Sequence, residues 1–558
     1  MEQVNFQIMF KSFVTTWHKP IILLAFGLLF FVPFNGDVHL FDWDEINFAE
    51  SSREMIVTGN YLDVQIDYKI FWEKPPLFFW MQVASMKMFG VNEFAARFPN
   101  AVCGIVVLLF LFYSGKRLIN EKFGFVWALT YACSLLPFFY FKSGIIDPWF
   151  NTFIFISLWY IILYSGKFKG NKSLFPVLSG FFLGLAMLIK GPVAVLIFAL
   201  TYLIVLIIRK SEMYFRWKHL LFFVLAFGLT GGSWFIMQML NGNMSVIEDF
   251  IVYQIRLFAT EDAGHGGFLL YHFVILFVGV FPASVLALRS FFYRYDSADP
   301  VLYVRRWMIV VFCVVLVLFT VVETKIVHYS SMCYFPLSFL AALQIYRQLS
   351  SKDRLRVFEK VLLVFVATVF AIGLAVFSQI DRIKSLIIDR NIVSDAFAIG
   401  NLQADGNWLG FEWAVSLILL VGVIYFVCVV NSNKRKLAVI VLAVAMTLFN
   451  MGAMVMFVPR AEEYSQKAAV EFFKSLPEND CYVATLGYKS YADLYYFNKP
   501  EPRSDLARDK NLLLWARLDK PAYFISKNTK KDEIVVEYPQ LTVIGEKNGF
   551  VFYKREVQ

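Results

Sequence analysis

Long apolar runs separated by short polar loops dominate the chain from about residue 20 to residue 458. Runs near the length a helix needs to cross a bilayer, roughly 17 to 25 residues, lie at 20–35, 94–114, 123–141, 149–165, 174–190, 191–208, 219–240, 268–288, 307–322, 328–346, 358–379, 412–430 and 437–458. They predict about thirteen transmembrane helices. The first run follows Lys11 and Lys19 and lacks a small-residue cleavage site, which predicts a retained anchor. Past residue 458 the pattern changes. Apolar runs shorten to strand length in CYVATLGY, AYFISK, LTVIGE and GFVFYKR, alternating with charged helical stretches such as AEEYSQKAAVEFFKSL. The expectation is a polytopic α-helical membrane domain over 1–458, with a long polar loop at 36–93, and a small α/β domain over 459–558.

Composition agrees with the pattern. Of 558 residues 59% are hydrophobic and 17% charged, with 62 Phe, which excludes an ordinary soluble globular protein. The net charge of +9 could suggest nucleic acid, but Lys and Arg occur in short clusters between apolar runs. That distribution orients membrane helices, so no nucleic-acid partner is expected. The clusters fall in alternate loops: Lys116, Arg117 and Lys122; Lys167, Lys169 and Lys172; 209–218; 289–306; 347–356; and Lys434, Arg435 and Lys436. By the positive-inside rule these loops are cytoplasmic. The loop at 36–93 and the C-terminal domain are then extracytoplasmic. The six Cys are scattered without paired spacing, so neither a disulfide framework nor a zinc motif is readable.

The outer face collects chemistry. In FDWDEINFAE, Asp42 with Glu45 three residues on has the spacing of a capping box, opening an amphipathic helix with Asp44 and Glu45 in its first turn. Those acids either complement the helix dipole or serve a site, since no local cation balances them. In FWEKPPLFFW, Lys74 precedes two prolines that suit a helix start, a natural place for a phosphate, or for a lysine snorkelling to the interface. The same face carries Asp147 in SGIIDPWF and Lys190 in LIKGPVA. It also carries Arg256 and His265 in YQIRLFATEDAGHGG, and Lys325, His328 and Tyr329 in ETKIVHY. Acids, bases and His gathered at water-membrane depth suit a reaction between a lipid-borne phosphate and an extracytoplasmic acceptor.

At these residues the chain resembles a known family. The stretch from DWDEINFAESSREMIV through FWEKPPLFFW to NEFAARFPNAV is similar to the first periplasmic loop of the bacterial aminoarabinose transferases that modify lipid A. These stand within the GT-C class of polyprenyl-phosphate-sugar-dependent glycosyltransferases. IIDPWFNTFIF, LAMLIKGPVAVLIF, FATEDAGHGGFLLYHFVILFVGVFPAS and TKIVHYSSMCYFPLSFLAAL continue the resemblance over roughly the first 350 residues.

The resemblance implies a GT-C fold in the bacterial inner membrane, with the active site and C-terminal domain on the periplasmic side. The implied activity is inverting transfer of a sugar from an undecaprenyl-phosphate-linked donor to lipid A, another glycolipid or a polypeptide. It implies catalytic roles for Asp44, with Glu45 beside it, and for Asp147 as the pocket's second acid. Lys74, Arg256 and Tyr329 would bind the donor phosphate, and Glu73 with His265 would bind a divalent metal ion. One departure stands out: where the family reads a VEHIQRF-like stretch, this chain reads VYQIRLF, placing Gln254 where a His is expected and shifting the Arg register to Arg256. A protein O-mannosyltransferase-like enzyme would differ only in acceptor. A secondary transporter would place ionisable residues near the midplane on broken helices, whereas these acids lie at span ends.

Overall fold

Among the described residues of the computed structural model, 18–166, 168–209, 215–259, 267–293, 299–350, 353–478 and 480–557, each apolar run is helical over most of its length. Five helices are long and apolar enough to cross a membrane: Glu93–Leu118, Asp147–Ser165, Pro300–Val321, Val357–Phe377 and Arg435–Glu463. Two bent pairs raise the number to seven, Trp217–Gly231 with Ser233–Leu240 at 51° and Tyr271–Gly279 with Ala283–Phe292 at 110°. The shorter apolar helices are His18–Phe31, Leu174–Lys190, Val193–Ile208 and Trp413–Val429. The architecture is polytopic and helical.

Where runs read as single spans are broken, the local residues supply the cause. Gly232, with no side chain to brace the turn, sits at the first bend, and Pro282, which cannot donate to the helical ladder, sits at the second. The run 123–141 divides into Glu121–Ala132 and Leu135–Tyr140, and 328–346 starts as a 3-10 turn, Val327–Cys333, before Tyr334–Ser350.

Contacts group the loops as their charges do. Glu121 takes both Lys19 and Lys116 at 2.8 Å, Arg435 donates to the Gln348 carbonyl at 3.0 Å, and Arg289 pairs with Asp353 at 2.7 Å. All of these join loops on the basic face. On the opposite face Asp44, Glu73, Asp147, Lys190 and His328 meet. Helix Leu174–Lys190 lies so close to Trp217–Gly231 that a Cβ at Gly180 would come within 2.2 Å of the Phe223 carbonyl oxygen. This packing fixes the helix whose last residue is Lys190.

The polar loop is not a surface element. Helix Asp44–Thr58 is buried continuously from Glu45 to Met55. Arg53 donates to Glu50 at 2.6 and 2.7 Å, Ser52 to Gln82 at 2.9 Å, and Glu54 accepts the Tyr68 amide at 2.9 Å while burial pushes its carboxyl up to about 9, toward the neutral form. A two-stranded hairpin follows, β1 (Gln65–Ile66) and β2 (Lys69–Ile70), with Asp67 and Tyr68 at φ 53° and 57° in its turn. The Tyr68 hydroxyl donates to the Lys499 carbonyl at 2.7 Å and ties this turn to the tail.

The tail contains the four expected strands, β3 (Tyr482–Leu486), β4 (Ala522–Lys527), β5 (Thr542–Lys547) and β6 (Phe550–Arg555). They form one sheet in the order β3-β4-β6-β5, with β3 and β4 parallel and the other pairs antiparallel. Asn548 and Gly549, both at positive φ, close the β5–β6 hairpin, the backbone that a two-residue turn demands. The last apolar helix runs on through a π turn, Ala453–Phe457, to Glu463, so no break falls at residue 458.

Candidate functional site

A cavity of about 430 Å³ lies between helix ends on the face opposite the basic loops and is lined by both acidic and basic side chains. Each comes from an element end. Asp147 begins helix Asp147–Ser165 with Pro148 after it, and Lys190 ends the antiparallel neighbour Leu174–Lys190. An acid at a helix N-terminus then faces a cation at a helix C-terminus, each favoured by its own dipole. They pair at 2.5 Å. Lys74 precedes Pro75 and Pro76, and helix Leu77–Phe89 starts immediately after them.

His328, from the 3-10 turn, links the two acids. Its Nε2 stands 3.5 Å from Asp44 and 3.8 Å from Asp147. The Tyr140 hydroxyl holds the His328 carbonyl at 3.0 Å. Beside it the Tyr329 ring lies 5.0 Å from the Lys190 ammonium. Across the cavity the Tyr253 hydroxyl donates to Glu73 at 2.8 Å, Gln254 donates to the Glu73 carbonyl at 3.2 Å, and Lys74 stands 3.7 Å from the Glu73 carboxylate. One wall is therefore acidic with imidazole between its carboxylates. Another carries ammonium groups and phenols suited to an anion.

Asp44, Asp147, Lys74, Glu73 and Tyr329 thus line one cavity, as expected from the sequence. Arg256 does not line it: the guanidinium sits 5.3 Å from the Tyr253 ring, on an exposed part of helix Met244–Ala259. His265 lies outside the described residues. Among those described, no three His, Cys, Asp or Glu gather to hold a metal ion. In the described part the Glu73 carboxylate meets the Tyr253 phenol and the Lys74 ammonium.

Glu45 corrects two expectations. There is no capping box: Trp43 is the N-cap residue and makes no side-chain cap, while the Asp42 carboxylate accepts from Ser490 in the tail. Nor does Glu45 lack a cation. Arg97 donates to its two oxygens at 3.0 and 2.8 Å, and the Phe41 amide adds a bond at 2.9 Å. Burial works to raise its pKa, but the Arg97 charge and these hydrogen bonds hold it below the usual value. With both oxygens engaged, Glu45 reads as a structural anchor of the loop. His328 and Lys190 had only been noted on the outer face, and Tyr253 not at all. Adjacency of His328 to Tyr329 was the one available signal.

The chain is similar to known proteins in sequence and in fold. A family model described as dolichyl-phosphate-mannose-protein mannosyltransferase matches residues 73–234. The undecaprenyl phosphate-alpha-4-amino-4-deoxy-L-arabinose arabinosyl transferase 1 of Proteus mirabilis is 26% identical over 338 residues, 59% of this chain and 60% of that protein. A similarly described transferase of Pectobacterium carotovorum is 26% identical over 58% of each chain. The matches thus span about three fifths of these relatives' length. Two crystal structures of ArnT from Cupriavidus metallidurans, in the apo state and bound to undecaprenyl phosphate, superpose with TM-scores of 0.76 and 0.72. They cover 97% of this chain and 98% of theirs, at 15% and 16% identity, and show a shared fold. The resemblance drawn from the residues is borne out in both respects.

Proposed function

We propose that the chain is an inverting glycosyltransferase that moves a sugar from an undecaprenyl-phosphate-linked donor to an acceptor on the extracytoplasmic side of a bacterial inner membrane, with lipid A or a related glycolipid as acceptor. The observation that supports this reading is one cavity lined by Asp44, Asp147, His328 and Lys74, with His328 standing 3.5 Å from Asp44 and 3.8 Å from Asp147. In it, the acceptor attacks the anomeric carbon while the bond from that carbon to the phosphate oxygen breaks, and the electron pair leaves with the lipid phosphate. Lys74 meets the growing negative charge, the preorganised electrostatic role that dominates such reactions. Tyr329 and Lys190 stand beside the same space. Asp44, partly open to the cavity, takes the proton from a hydroxyl acceptor; with a phosphate acceptor, already ionised, it orients the nucleophile. Asp147, neutralised by Lys190, faces the oxocarbenium-like centre.

The charge pattern supports about thirteen spans, with the α/β tail and the cavity on the outer side. The family description matched at 73–234 favours a second reading, a protein O-mannosyltransferase-like enzyme with a polypeptide acceptor. Membranes containing the chain, supplied with a panel of labelled polyprenyl-phosphate sugars and with glycolipid or peptide acceptors, separate the two by which product carries label. No labelled product from any donor at normal abundance overturns both.

A further inference from the structure

Helix Asp147–Ser165 carries Asn151 one turn after Asp147, and both residues line the cavity together with His328. The i, i+4 spacing puts them on one face of the helix. Asn151 also reaches past the cavity. Its Nδ2 donates to the Ser331 hydroxyl at 2.7 Å, and the Ser331 hydroxyl in turn donates to the His328 carbonyl three residues back. Tyr140, at the end of the short helix Leu135–Tyr140, reaches the same pair, with its hydroxyl 2.6 Å from the Ser331 Oγ and 3.0 Å from the His328 carbonyl.

A serine hydroxyl has one proton to give and two lone pairs with which to accept. At Ser331 all three are engaged: the proton goes to His328, and Asn151 and Tyr140 fill the lone pairs. Asn151, Ser331 and Tyr140 are all buried, where such bonds are stronger than in water and costly to break. The network therefore grips the backbone behind the imidazole.

That grip matters because of where the ring stands. His328 Nε2 lies 3.5 Å from Asp44 and 3.8 Å from Asp147, both longer than a hydrogen bond. A ring free to move by about half an ångström would close on one of the carboxylates, since a charge-assisted bond is stronger than an open gap. Closure on Asp44 would engage an oxygen that the proposed reaction needs open. Asp147 is fixed from its other side by Lys190. One helix thus holds Asp147 and, through Asn151, the turn that carries His328, so it gauges the distance between them. We infer that Ser331, braced by Asn151 and Tyr140, is a positioning residue that keeps the His328 imidazole between Asp44 and Asp147 without letting it pair with either. That this spacing serves transfer rests on the glycosyl-transfer reading; the grip on His328 does not.

The test uses the full chain in nanodiscs and the variants Ser331→Ala, Asn151→Leu and Tyr140→Phe. The last removes one hydroxyl and leaves the ring, so it keeps the test open should either of the others fail to fold. In protein with histidine labelled at Cε1, the resonance lost in His328→Gln reports on His328, and the one lost in His39→Gln is the control. The charges facing the imidazole are Asp147, Lys190, Asp44 and Lys74, so a change in its distance from the two acids moves its titration midpoint. Each variant should move the His328 midpoint by about half a pH unit or more, with His39 unchanged. In transfer assays Ser331→Ala and Asn151→Leu should each lower kcat about tenfold with donor KM unchanged, and adding either to His328→Gln should cost nothing further. An unmoved His328 midpoint in every folded variant, or kcat losses that add to that of His328→Gln, overturns the assignment. A moved midpoint in a protein that transfers no sugar from any donor keeps the grip on His328 and removes the glycosyl-transfer reading instead.

Discussion

Single residues decide how the cavity works, and Asp44 is the first to test. Asp44→Asn keeps shape but removes charge and basicity, so turnover should fall by about two orders of magnitude or more. Wild-type activity in that variant at equal abundance would sink its assignment as base. His328 acts through the acids it separates. For His328→Gln, kcat should fall about tenfold or more with donor KM unchanged, and the double variant with Asp44→Asn should be no slower than Asp44→Asn alone, as for groups acting as a unit. Additive losses would make His328 an independent contributor. Glu73 discriminates a metal from an ion pair. With Tyr253 and Lys74 as its neighbours, chelators should leave activity unchanged and Glu73→Ala should not alter that response; activity lost to a chelator and restored by a divalent cation would instead place a metal at Glu73. The family resemblance pointed to Asp44, Lys74 and Asp147, and Pro75, Pro76 and Pro148 marked helix starts beside two of them, whereas the capping-box spacing of Asp42 and Glu45 did not form a cap. Sequence alone could not show that Arg97, 52 residues from Glu45, neutralises that acid, because spatial pairing over such a separation leaves no local pattern.

Among elements, the buried helix Asp44–Thr58 departs furthest from its sequence pattern. Its polar residues suggested a solvated face, but the tail covers one side of the loop and the membrane helices the other. Arg53 reaches both Glu50 and the Lys499 carbonyl. Tertiary burial overrode the amphipathic reading. The Glu45–Arg97 pair is the test of this packing. Arg97→Met leaves a buried carboxylate uncompensated, at a cost of about 3–5 kcal/mol. A clear drop in Tm of the detergent-solubilised protein is expected, larger than for the double variant with Glu45→Gln. An unchanged Tm in Arg97→Met would show that the pair does not hold the loop. The tail strands were legible because their short β-branched and aromatic runs are bounded by turns, and the β5–β6 turn by Asn-Gly. The helix breaks at Gly232 and Pro282 were hidden inside runs whose hydropathy never falters.

Across the whole molecule, charge bias gave an orientation independent of any resemblance, and the contacts sort into the same two faces. In a Cys-free background, a cysteine replacing the exposed Glu501 should react with an impermeant thiol reagent in intact spheroplasts, whereas one replacing Lys434 should react only after lysis. The reverse pattern would overturn the outer placement of the cavity. Helix number was only partly legible, since several runs are built as two short pieces at an angle, and a length criterion cannot see an angle.

The last apolar helix passes without interruption from the bilayer to Glu463, a few residues before the tail's first packed helix, Lys467–Ser475. It is a stiff shaft with one joint, the π turn at Ala453–Phe457. The tail supplies Ser490 and Tyr491 against Asp42 and Trp43 in the cavity wall, so that wall rests on a domain this helix carries.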